Sequence, residues 1–77
     1  MEWVQVSSSH IEAIGWDAVY GGRLWVKFKP SKGGKGGRTG FYSVCSRKMF
    51  SDMLNAPSKG KYKDAVLIKG GYDWTYA

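Results

Sequence analysis

The sequence predicts an α+β fold: an antiparallel β-meander of roughly four to six strands, open or barrel-like, covered by one short α-helix. Three observations carry this expectation. Short apolar alternations with a period of two recur between Val4 and Val44, separated by serine and glycine clusters. From Ser46 to Leu54 the apolar spacing lengthens to a helical one. At 77 residues, 43% hydrophobic and 16% aromatic, the chain has room for a single domain, residues 1–77, and enough bulky side chains to give it one core.

Val4 and Val6 alternate with Trp3 and Gln5 in a first strand that ends at the turn-forming Ser7-Ser8-Ser9. Residues 11–16 form a second strand, its alternation broken near Gly15, where a bulge or bend is expected. Gly21-Gly22 supplies a tight connection, because glycine reaches positive φ without steric cost. Residues 23–29 alternate most clearly: Leu24, Val26 and Phe28 face the core, while Arg23, Trp25, Lys27 and Lys29 face the other way. Residues 39–44 make the return strand, with Phe41 and Tyr42 on opposite faces. Between these two strands, residues 30–38 read as a flexible, basic, glycine-rich loop. Ser46 is the expected N-cap of the helix, Met49, Phe50, Met53 and Leu54 its apolar stripe, and Pro57 with Gly60 its stop. Val66-Leu67-Ile68 and residues 72–76 flank Gly70-Gly71, which suggests either a terminal hairpin or an extended tail.

The formal net charge is +6, and its distribution is uneven. No Lys or Arg occurs before Arg23; then Arg23, Lys27, Lys29, Lys32, Lys35, Arg38, Arg47 and Lys48 follow without an intervening acid. A block of one sign favours anionic partners such as RNA, single-stranded DNA or a nucleotide; the plainer reading is a solvating surface. Catalytic sets are missing from the inventory. His10 is the lone histidine, and the neighbouring Ser8 and Ser9 are expected to point away from it. Cys45, between Val44 and Ser46, is expected to be a small buried hydrophobe, and one His with one Cys cannot build a zinc site. The glycine runs lack the spacing of a phosphate-binding loop. The expectation is a non-enzyme without cofactor or metal. A lone cysteine, no signal-peptide pattern and no membrane-spanning run make the cytoplasm the expected address, with no membrane partner.

The strand face carrying Arg23, Trp25, Lys27 and Lys29 places a large aromatic among cations. Single-stranded nucleic acid is bound by that combination, rings stacking on bases and cations meeting phosphates. Lys32, Lys35 and Arg38 in the adjoining loop, and Tyr42 on the return strand, complete the expected interface. The competing reading packs Trp25 under Tyr72, Trp74 and Tyr76 and leaves the lysines merely solvated.

Several segments also carry a family pattern. Val4-x-Val6-x-Ser8-x-x-Ile11-x-x-Ile14-Gly15-Trp16-Asp17, then Leu24-x-Val26-x-Phe28, then Ala56-x-Ser58-Lys59-Gly60-x-Tyr62, resembles the KTSC domain, over most of residues 4–68. The family takes its name from the C-terminus of some lysyl-tRNA synthetases and also occurs as stand-alone proteins of bacteria and their phages. The resemblance implies a small non-catalytic domain, with RNA binding suggested by the synthetase context, and marks Ser8, Gly15, Trp16, Asp17, Ser58, Lys59, Gly60 and Tyr62 as its motif residues. The chain departs from the pattern at Gly40, where a tyrosine is usual, at Cys45-Ser46, where Val-Pro usually opens the helix, and in its longer basic loop. The expected function is a small basic module binding RNA or single-stranded nucleic acid. The alternative is a phage- or prophage-type accessory protein that binds a host protein or captures a nucleotide signal, as a monomer or a homo-oligomer.

Overall fold

Five strands pair antiparallel in the order in which the chain lays them down: β1 (Glu2–Gln5), β2 (Ile11–Asp17), β3 (Arg23–Phe28), β4 (Thr39–Ser43) and β5 (Trp74–Tyr76). This computed structural model describes residues 1–30 and 37–77. The sheet is open, with β1 and β5 at its edges, and does not close into a barrel. Alternation decides the faces. Ile14, Leu24, Val26 and Tyr42 point to one side and, with Ile11, are buried there against Cys45, Phe50, Met53 and Leu67.

Helix α1 (Arg47–Asn55) forms because Ser46 stays extended and its side chain accepts the Met49 amide proton at 3.2 Å. Phe50 and Met53 are its fully inserted side chains, with Met49 and Leu54 at the margins of the stripe. The Arg47 guanidinium fastens the helix start to β1 by pairing with Glu2 at 2.9 Å, and it lies over the Trp16 and Phe50 rings. Pro57 follows α1 as expected, but Gly60 does not stop anything. Ser58 caps a second short helix, α2 (Lys59–Tyr62), which runs into a π-helical turn over Lys63–Ile68. The wide turn closes with the amides of Lys69 and Tyr72 donating to the carbonyls of Asp64 and Leu67 at 3.2 and 3.1 Å.

The terminal hairpin is therefore corrected. Tyr62, Lys63, Val66 and Leu67 turn inward at helical spacing, and only Leu67 of the apolar triplet is buried. A three-residue apolar run is too short to separate the two periods. The chain then returns as β5 beside β4, pairing Trp74 with Tyr42 and Tyr76 with Gly40. The expected irregularity in β2 also moves: the register shifts between Ile11 and Ala13, while Gly15 pairs regularly with Trp3 and Trp25. Gly15 is required for a different reason. A Cβ there would stand 2.9 Å from the Glu2 carbonyl oxygen and 3.0 Å from the Trp3 ring.

At the far end of the sheet, Tyr20, Gly21 and Gly22 carry positive φ through a tight 3₁₀ turn into β3. The Gly22 carbonyl accepts from the Cys45 amide at 3.0 Å, and the Trp16 indole N–H donates to the Cys45 carbonyl at 2.9 Å, locking β2, β3 and the entry to α1 together. Among the described residues no helix is long and apolar enough to cross a membrane.

Two glycines should respond oppositely to alanine. Gly22 has φ +105°, and a Cβ would lie 2.0 Å from the Cys45 carbonyl oxygen, so Gly22→Ala is expected to cost about 2 kcal/mol or more. Gly60 sits in α2 with nothing within 4 Å of an added Cβ, so Gly60→Ala is expected to be neutral or to stabilise by up to about 1 kcal/mol. Urea denaturation midpoints of the two variants check both signs.

Candidate nucleic-acid interface

Among the described residues the face of the sheet away from α1 carries no helix, and one row of residues crosses it from strand to strand: Trp3, Gly15, Trp25, Phe41 and Thr75. Gly15 leaves room for the two indoles to lean together, with ring centroids 6.1 Å apart and edge-on. Phe41 continues the row at 4.8 Å from Trp25. The Arg23 guanidinium lies over both rings, 5.1 Å from Trp25 and 5.0 Å from Phe41. Trp3, on the edge strand, remains 41% exposed, and Trp25 and Phe41 are half-buried.

Asp17 organises this row. Its carboxylate accepts from Arg23 Nε and Nη2 at 3.0 and 2.9 Å, from the Trp25 indole at 2.7 Å and from the Val19 amide at 3.0 Å. The Arg23 hydrogen bond, opposed by burial and reinforced by the Trp25 and Val19 bonds, holds the Asp17 carboxyl below its ordinary value. One step toward the end bearing the β1–β2 and β3–β4 connections, Lys27 pairs with Glu12 at 3.1 Å beside a shallow cleft bordered by Trp3, Gln5 and Thr39. Two of the four strand-face residues expected to face an anion are thus already matched by carboxylates of the neighbouring strand.

The remaining charge lies elsewhere. Arg47, Lys27, Arg23, Lys48 and Lys63 pair with Glu2, Glu12, Asp17, Asp52 and Asp64. Among the described residues the cations without a carboxylate partner are Lys29, Arg38, Lys59, Lys61 and Lys69. The first four line two adjoining clefts, of about 410 and 440 Å³, at the end of the sheet where the β1–β2 and β3–β4 connections meet. Ser9 and His10 belong to both clefts. Arg38 donates to the Tyr76 hydroxyl at 3.3 Å and sits 5.9 Å above the Phe28 ring. Lys29 is exposed, and its amide donates to the His10 carbonyl at 2.8 Å.

Several expected site residues stand differently. Tyr42 is 5% exposed on the core face, because its register partner is Leu24; Phe41, opposite Trp25, occupies the position intended for it. Trp25 is covered by Trp3 and Phe41, not by the C-terminal aromatics. Trp74 lies on the opposite face, 4.9 Å from Tyr42 and 5.9 Å from Phe28, across a glycine at 40 whose Cβ would strike it. Lys32 and Lys35 lie outside the described residues. Ser9 and His10 do not point apart: Ser9 Oγ is 2.8 Å from His10 Nδ1, on the exposed surface. Of the motif residues, Ser8, Ser58, Lys59 and Gly60 meet in one cleft although half the chain separates them. Gly15 and Asp17 serve the open face, Trp16 bonds Cys45 from the other, and Tyr62 packs on the core from α2.

Sequence reasoning left Trp3 and Phe41 out of the strand-face interface, and it marked Asp17 only as a motif residue, without its role on this face. Their signal was available: a hairpin centred on Tyr20 pairs Asp17 with Arg23 and Gly15 with Trp25, and strand parity then places Trp3 and Phe41 in the same row. No protein-family model matches the chain, and no curated protein matches it.

Two outcomes follow from this geometry. Because the folded-state pKa of Asp17 is depressed, its contribution is present above the unfolded carboxylate value and is lost as pH falls through the lower folded one. Asp17→Asn should therefore be less stable by about 1–2 kcal/mol at neutral pH. That difference should close on acidification, as equilibrium unfolding across a pH series will show. Cys45 is fully buried, and burial pushes its thiol up to about 11. At pH 8 iodoacetamide should leave the native protein unmodified and label it fully in denaturant, a difference mass spectrometry reads directly.

Proposed function

We propose that the protein is a non-catalytic module that binds RNA or single-stranded nucleic acid. Bases stack along the Trp3–Trp25–Phe41 row, and phosphates meet Lys29 and Arg38 at the end where the β1–β2 and β3–β4 connections lie, with Lys27 exchanging its Glu12 partner for phosphate. One observation carries the reading: among the described residues a sheet face without a helix holds a continuous aromatic row across its strands, and unpaired cations collect at one end of those same strands. Aromatic platforms accept any base because every base has a π-face, and cations at their border meet the backbone. Arg23 serves differently from its first reading. Held by Asp17 and laid on two rings, it fixes the Trp25 and Phe41 rings in place and does not reach for phosphate. The resemblance to the KTSC family supports the same direction through its synthetase members. A cytoplasmic address goes with this proposal, and the lone buried thiol supports it.

Tryptophan fluorescence titrations with short single-stranded oligonucleotides at increasing salt test it. Log K should fall linearly with log salt. Phe41→Ala and Trp3→Ala should each weaken binding by about 1–3 kcal/mol at every salt concentration. Lys29→Ala and Arg38→Ala should each make the salt slope shallower by about 0.7. Absence of binding at low salt, or binding indifferent to salt, overturns the proposal.

A further inference from the structure

The cleft between the serine turn and α2 lies apart from the aromatic row and has its own chemistry. The turn after β1 brings Ser8 and His10 opposite Ser58, Lys59 and Lys61, residues about fifty positions away along the chain, across a space of about 440 Å³. Its side chains are mostly hydrogen-bond donors. Ser8 Oγ accepts from the His10 and Ile11 amides at 3.4 and 3.3 Å, and Ser58 Oγ accepts from the Lys61 amide at 3.3 Å. In both, accepting occupies oxygen lone pairs and leaves the hydroxyl proton for another acceptor. Ser9 Oγ lies 2.8 Å from His10 Nδ1. When that hydroxyl donates to Nδ1, the ring proton of the neutral imidazole resides on Nε2 and adds a further donor.

The charge agrees with the donors. Lys59 uses one ammonium proton on the Ala56 carbonyl at 2.7 Å, and Lys61 has no carboxylate partner among the described residues. The one acid at the cleft, Asp64, is paired with Lys63 at 3.4 Å. An acceptor-only ligand carrying close to two negative charges matches two hydroxyls, an imidazole and two ammoniums. A phosphate monoester has that form, with three terminal oxygens and a charge of about −1.5 to −2 at neutral pH.

The geometry points to a binding site for a phosphate monoester in the cleft between Ser8–His10 and Ser58–Lys61. The site does not rest on the open-face reading, because it needs no base and no aromatic platform. Its ligand is either a free mononucleotide or the phosphorylated end of a nucleic-acid strand, which share the same group.

Amide chemical shifts of the ¹⁵N-labelled full chain, titrated with inorganic phosphate, adenosine and adenosine 5′-monophosphate, test it. Phosphate and the monophosphate should shift the amides of Ser8–His10 and Ser58–Lys61 saturably, while adenosine leaves them in place. Lys61→Glu, at an exposed position, should abolish saturation with the folded spectrum retained, and His10→Ala should weaken it. Unsaturating shifts spread evenly over the lysines, or unchanged affinity in Lys61→Glu, overturn the site. A 5′-phosphorylated oligonucleotide that binds about tenfold tighter than its 5′-hydroxyl form identifies a strand end as the source. Equal oligonucleotide affinities with saturation by the monophosphate identify the free nucleotide. Failure of unphosphorylated oligonucleotides to bind leaves the phosphate titration intact, so the two readings fail separately.

Discussion

Among the described residues helices cover one side of the sheet only, and that is the constraint on which the rest of this structure depends. Helix α1, α2 and the π-helical turn all lie against the face bearing Ile14, Leu24, Val26 and Tyr42. The other face has to limit its own exposure, and it does so laterally. Rings from β1, β3 and β4 pack edge-on and tilted against one another, Trp3 and Trp25 meeting across the glycine at position 15 on β2, each removing part of its neighbour from water. Asp17 makes that arrangement specific, because its carboxylate needs both the Arg23 fork and the Trp25 indole in fixed positions. A loosely packed aromatic face would serve as a general adhesive surface. An oriented one presents ring faces and a guanidinium plane in a single register.

Electrostatics follow from the same topology. Antiparallel neighbours bring the acid-rich first strands against the basic third strand, so Glu12 and Asp17 neutralise Lys27 and Arg23. Helix-borne acids do the same for Lys48 and Lys63. A net charge of +6 is therefore not spread evenly. Much of its unpaired part collects where two connections and the start of α2 converge, and positive potential at one end of a small fold steers an anion toward that end. The aromatic row and the cationic end are adjacent yet chemically different, one suited to rings and the other to phosphate oxygens.

How far the fold could be read depended on how long each periodic signal lasted. Residues 23–29 alternate without a break, and β3 forms there with the expected faces. Ser46 and the stripe through Phe50 and Met53 likewise announce α1, since cap and periodicity agree. Val66-Leu67-Ile68 was too brief to show its period, and helical burial of Leu67 won over a strand. At the site, parity correctly grouped Arg23, Trp25 and Lys27 but not Tyr42. A side chain's face on a return strand follows from register, which a loop of undetermined geometry does not transmit.

By itself the sequence determined the α+β class, the one-sided apolar pattern of the central strands, the capped helix and the excess of positive charge. These are local or compositional properties, written in the spacing of neighbouring residues. The tertiary structure alone decided which cations meet carboxylates, which aromatics share the open face, and that Ser8 and His10 stand across a cleft from Ser58 and Lys61. Those outcomes depend on strand register and on the packing of α2 against the turn after β1, and contacts between residues so distant along the chain leave no periodic trace in it.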